Sequence, residues 1–345
     1  MKKIGLFIIS LLLVTGCGEK TPEVNNDDNP VEQAPVEQPT EKISIIDLDS
    51  NSRPYAVVIN NYPAAVKAQT GLNKAYIIYE FPIEGGMTRS LALFKDVKDV
   101  KLGTVRSARH DYLDYVMEND AIFVHFGWSK EAEKQIYQLD IDNIDGNYAD
   151  PKPFWRENPF NLAYEHRVYT NLSNVIDYNN NTKKYRNTTD VKPTLNYTVS
   201  SVDLSKYNDS KVANTVKLSY SSAFDVKFVY NNETSKYDRY VNGKLHKDYI
   251  SGETFDAKNI IVTLIDWGYV TQYADAAGNN YLDLYNVGTG KGYYITDGYA
   301  REITWQKDTR SSQTVYKYLD GTEIDVNDGN TYIMFQSISK GANIN

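Results

Sequence analysis

The sequence predicts an α+β protein: an N-terminal mixed α/β domain followed by a smaller, mostly antiparallel β domain. Three observations carry this. Between residues 54 and 169, apolar strand patterns alternate with helical ones. From about residue 216 the pattern is strand throughout. Asp-Gly pairs at 297–298, 320–321 and 328–329 punctuate the later strands, as tight hairpins require. The Asn-, Ser- and Thr-rich stretch from 171 to 214 separates the two patterns.

The chain opens with MKKIGLFIISLLLVTGCGEK. Lys2 and Lys3 precede an apolar run at 4–14 that is too short for a permanent membrane span, and Val14-Thr15-Gly16-Cys17 resembles a bacterial lipobox. Residues 1–17 are therefore expected to be a lipoprotein signal peptide. Cys17, the only cysteine of the chain, is expected to carry a diacylglyceryl group that anchors the mature protein on the extracytoplasmic face of the cell membrane. Residues 18–43 combine prolines, acids and amides with a repeated Val-Glu-Gln. They cannot bury enough surface to offset their ordering entropy, which predicts an extended spacer.

Within the N-terminal domain, set at 44–190, YAVVIN (55–60) and AYIIYEFPI (75–83) read as buried strands, the second stopped by Pro82. TRSLALFKD (88–96) alternates and should pair back across Gly85-Gly86. GTVRSARHDYLDYV is expected to open a helix over 108–118, capped by Ser107 and buried through Tyr112, Leu113, Val116 and Met117. AIFVHFG (121–127) reads as a strand, and SKEAEKQIYQL (129–139) as a helix with Ser129 as its cap. A short helix follows Thr170. After a connection at 191–214, the C-terminal domain (215–340) begins with FDVKFVY and SKYDRYV, separated by NNET. NIIVTLIDWGYV (259–270) reads as one long apolar strand, followed by two hairpin patterns. The 29 tyrosines imply strands that turn a ring to the core and a hydroxyl to water.

A formal net charge of −8 argues against a nucleic-acid partner, whose phosphates would be repelled. The four histidines, at 110, 125, 166 and 246, lack metal-binding spacing, and DNIDGN (142–147) lacks the acidic series of a calcium loop. No metal or cofactor is expected.

At YEFPIEGGMTRSLALF, VRSARHDYLDYV, AIFVHFGWS, YDRYVNGKLHKD and NIIV the chain resembles the YerB-like lipoproteins of Gram-positive bacteria, over nearly all of 50–336. The resemblance implies a membrane-tethered envelope protein with an α/β domain and a smaller C-terminal one, connected with cell-wall or penicillin-binding machinery, and with no established chemistry. The polar residues that match are Glu80, Glu84, Arg89, Arg106, Ser107, Arg109, Arg239, His246 and Asp248.

Three functions remain open. Arg89, Arg106 and Arg109, with Ser107 at a helix start, would suit a carboxylate or phosphate of peptidoglycan, teichoic acid or a partner protein such as a penicillin-binding protein. Arg239, His246 and Asp248 would add a second polar group to such a binding surface. A hydrolase acting on wall polymer would use Glu80 and Glu84 as its acid and base. A scaffold lipoprotein would bind no small ligand.

Overall fold

In the computed structural model, which describes residues 42–150 and 152–345, eleven strands drawn from both halves of the chain join one sheet. The signal peptide, Cys17 and all but the end of the acidic spacer lie outside the described residues. The first half supplies β1 (Tyr55–Asn60), β2 (Ile77–Ile83), β3 (Met87–Phe94), β4 (Ile122–His125) and β5 (Asn143–Asp145). The second half begins with β6 (Lys211–Val212) and a meander of β7 (Thr215–Ser221), β8 (Phe224–Asn231) and β9 (Lys236–Val241). Next come β10 (Asn259–Ile265) and a two-stranded arm, β11 (Trp267–Ala274) with β12 (Asn280–Leu284). The last strands of the large sheet are β13 (Gly288–Thr296), β14 (Tyr299–Lys307), β15 (Val315–Tyr318) and β16 (Thr331–Ser337). Across the large sheet the order is β6-β14-β13-β10-β16-β2-β3-β1-β4-β5, with β15 also on β14.

Because the central strands are covered on both faces, they read as unbroken apolar runs. Along β1, Tyr55, Val57 and Ile59 face one core while Ala56 and Val58 face the other. The first core packs the sheet against the β7–β8–β9 meander through Val216, Leu218, Phe228 and Tyr237. The second packs it against helices α1 (Tyr112–Glu118) and α2 (Lys130–Gln138). There Phe81 of β2 stacks on Phe335 of β16 with ring centroids 4.6 Å apart, and Tyr115 of α1 closes on both. Beside this stack Lys307 donates to Glu118 at 2.7 Å, both side chains being sealed from water, and Tyr79 donates its hydroxyl to the same carboxylate. Several tyrosines are thus buried whole and bonded inside the protein, contrary to the expectation of a wet hydroxyl. Tyr294, which donates to Asn259, is another.

The β2–β3 hairpin forms across Gly85-Gly86 as expected, both glycines having positive φ, although β2 runs through Pro82 to Ile83. Ser129 caps α2 by accepting from Ala132 N. Four expectations fail. The first helix starts at Tyr112, not 108, because the preceding backbone is engaged elsewhere: Arg106 N donates to Val58 O of β1, and Ala108 O, which would accept the first helical bond, accepts from Ser129 N. Ser107 is not its cap; its hydroxyl donates to Phe126 O. The run 259–270 breaks at Asp266, after which β11 leaves the sheet to build the arm. Asp328-Gly329 does not turn a hairpin. Residues 325–327 pair in parallel with 196–198, and β16 then inserts between β2 and β10, parallel to both.

Three buried histidines make the fold sensitive to acid. Burial, then the Arg239 charge, holds His246 well below its usual range; burial also lowers His125 and, with help from Arg106, His166. The unfolded chain takes up these protons as pH falls below about 6.5 and the folded chain does not, so each histidine removes up to about 1.4 kcal/mol of stability per pH unit until its folded pKa is reached. His246→Asn keeps an acceptor for Arg239. Relative to wild type, it is expected to be spared about 1 kcal/mol of the stability loss between pH 6.5 and 5.5 in urea titrations. The raised Asp111, pushed by burial to about 7, acts in the opposite sense but is common to both proteins.

Candidate functional site

A cleft of about 340 Å³ opens between the Gly85-Gly86 turn, the 104–109 segment and the tip of the arm. Arg89, Arg106 and Arg109 all line it. Each arrives by a different route. Arg89 projects from β3, Arg106 from the extended segment bonded to β1, and Arg109 from the turn before α1.

Their partners differ. Arg109 is committed: its guanidinium forms a two-point pair with Glu84 and lies 4.8 Å from the Tyr281 ring of the arm. Burial alone would raise the Glu84 carboxyl, but the Arg109 hydrogen bonds and charge outweigh it and hold the group below its usual range. Arg106 donates from Nη1 to Glu165 O at 3.1 Å, and its Nε is buried with no partner. Arg89 is only 5% exposed, yet among the described residues its guanidinium bonds only to Ser107 O, at 2.7 Å, and forms no ion pair. Its Nε too is buried without a partner. Burial, then repulsion from Arg109, pushes Arg89 down to about 9, which still leaves it cationic at neutral pH. A buried cation without a carboxylate is costly and calls for an anion.

The wall beside Arg106 is built by residues with no signal in the sequence pattern. His166 stacks on Tyr62 at 4.4 Å and bonds Asn60 Nδ2 at 3.0 Å. Asp275 and Asn279, from the arm's turn, complete the rim. No periodicity links residues 60, 166 and 275.

The remaining expected site residues lie elsewhere. Ser107 offers the cleft its carbonyl, through Arg89, rather than its hydroxyl. Glu80 is fully buried and accepts from Arg239 at 2.9 Å and from Thr88 at 2.6 Å. It therefore does not face Glu84 across an open cleft as a hydrolytic pair must. Arg239 also donates to His246 Nδ1 at 2.5 Å, so this cluster bolts β9 to β2. Asp248 accepts from Thr70 and, at 2.7 Å, from Gly71 N, tying the second half to a loop of the first. Arg239, His246 and Asp248 are internal fastenings, separate from the arginine cleft. The reason is register: period-two alternation places Arg239 on the inner face of β9 with Tyr237 and Val241.

The fold and its two halves define a class. Residues 43–186 match the N-terminal domain, and 215–333 the C-terminal domain, of the family described as proteins of unknown function (DUF3048). The chain belongs to that family. It is 30% identical, over 304 residues and 85% of each chain, to a Bacillus subtilis (strain 168) protein named "Putative lipoprotein YerB". The crystal structure of the YerB protein from Bacillus subtilis matches with a TM-score of 0.74 at 26% identity, covering 89% of this chain and 100% of that one. The YerB-like resemblance and the α+β fold read from the sequence both hold.

Proposed function

We propose that this protein is a lipid-anchored, extracytoplasmic binding protein that holds an anionic group of a cell-wall component between Arg89 and Arg106. The observation that carries this reading is Arg89: a guanidinium almost out of water, bonded to a carbonyl and, among the described residues, in direct ion-pair contact with no carboxylate, the nearby Glu84 being taken by Arg109. A bound carboxylate or phosphate supplies the missing charge in the fork geometry that guanidinium groups match. The lipid anchor is supported by the Val-Thr-Gly-Cys segment and by the lipoprotein name of the Bacillus relative. Among the described residues no helix is long and apolar enough to cross a membrane.

Two experiments test this. Calorimetry with muropeptides, teichoic acid fragments and acidic peptides is expected to show binding that Arg89→Lys and Arg106→Lys each weaken by about tenfold or more, since Lys cannot form the fork. Normal binding by both variants removes the site, and binding of the peptides alone transfers it to a partner protein. Cys17→Ser is expected to abolish incorporation of radioactive palmitate and to leave an uncleaved precursor; equal labelling of variant and wild type removes the anchor.

A further inference from the structure

A second depression adjoins the arginine cleft. It lies past the Gly85-Gly86 turn, has a volume of about 400 Å³ and shares Ile83, Glu84, Gly85, Met87 and Asn279 with the cleft. Its outer wall is the arm. Trp267 and Tyr269 are two residues apart on β11, so both rings stand on one face of the strand, and both line the depression. Tyr269 pairs across the arm with Leu282, which lines the depression too.

Two features separate this surface from ordinary core. Tyr269 is 60% exposed, and Trp267, which rests against the second core, is still only half-buried, so both rings keep surface open to the depression. The rest of the lining mixes the apolar Pro82, Ile83 and Met87 with the polar Asn279, Asn280 and Lys340. The arm is also held firmly: Leu284 N donates to Asp111 at 2.9 Å, and His110 lies 3.2 Å from Asp283. Ring faces held open beside amide groups suit a ligand with apolar C–H faces and hydroxyl edges, which describes a pyranose. Side-chain peptide ligands satisfy such a wall less well, because their apolar groups carry no rim of hydroxyls for Asn279 and Asn280.

We infer that the joined groove binds an acidic saccharide. Its carboxylate or phosphate sits at Arg89 and Arg106, and a sugar ring stacks on Trp267 and Tyr269. The inference rests on the anion-binding reading above and adds a ligand class and a second subsite to it.

The test uses the full-length chain and four probes: inorganic phosphate, glycerol phosphate, N-acetylglucosamine 1-phosphate, and a disaccharide bearing the lactyl carboxylate of muramic acid. At least one of the two ring-bearing acids is expected to bind about tenfold more tightly than phosphate or glycerol phosphate, the margin of a buried aromatic contact. Which ring-bearing acid binds better separates phosphate from carboxylate ligands. Trp267→Ala and Tyr269→Ala are each expected to close that gap, and Trp267→Phe to keep most of it. Because Tyr269 is exposed, its variant remains informative if Trp267→Ala unfolds the arm, which circular dichroism would reveal. Arg89→Gln is expected to abolish binding of all four probes. If the sugars bind no more tightly than phosphate, and neither aromatic variant matters, the saccharide inference is overturned while the anion site stands. If no probe binds, or Arg89→Gln binds them as wild type does, the anion reading falls and this one falls with it.

Discussion

Glu80→Ala is expected to lower unfolding stability by about 3–5 kcal/mol, a large part of the total for any domain. The carboxylate is the sole anionic partner of Arg239 among the described residues, and that side chain is 2% exposed. Removing it leaves a cation in the core with a neutral histidine and the Tyr332 ring, 5.8 Å away, for company. Relocating the guanidinium to water would require β9 to leave β2. The double variant Glu80→Met/Arg239→Met removes both charges and is expected to recover most of the loss, or to exceed wild type by about 1–4 kcal/mol. Urea titrations of the three proteins decide it. A single variant as stable as wild type would show that the pair contributes nothing, and an additive double variant would show that the two groups do not interact.

Arg89→Met is expected to move stability and binding in opposite directions. The substitution removes a buried charge that no carboxylate pairs with directly, Glu84 being taken by Arg109, so the melting temperature in ligand-free buffer should rise rather than fall. Phosphate or an acidic ligand should stabilise wild type by about 2.7 kcal/mol at a hundred times its dissociation constant and the variant hardly at all. Differential scanning calorimetry with and without ligand measures both effects. An Arg89→Met protein that melts early and still responds to ligand would make Arg89 a structural residue.

Much of this architecture is legible in the chain because it is local. Hydrophobic runs marked β1 and β2, the glycine pair fixed the hairpin of β2 with β3, and Ser129 announced α2. The three arginines that share the cleft could be picked out too, since they fall on adjacent segments. What sequence periodicity does not carry is long-range backbone bonding. Ala108 to Asp111 has a helical pattern, yet Ala108 O accepts from Ser129 N instead of from Tyr112 N, so the first turn does not close there. Arg239, His246 and Asp248 punctuate tyrosines like residues of an exposed hairpin. Only their register, and the arrival of Glu80 and Thr70 from the other half, turns them inward. Arg106 and Arg109 look equivalent at three residues' spacing, but Glu84 engages one and not the other. The charge balance of the cleft was therefore hidden until those pairings were known.

The insertion of β16 has a consequence for the order of events in making this molecule. Ile77 to Glu80 pair with Thr331 to Met334, strands from near opposite ends of the folded chain. Contacts so distant carry a high loop-closure cost and slow the final assembly. Until synthesis reaches residue 331, the flank of β2 is an open, apolar strand edge of the kind that templates aggregation. A premature stop that removes the last fifteen or so residues would therefore strike hardest at the first half of the protein. The lesion should appear as insoluble material during biogenesis rather than as a shortened but serviceable tail.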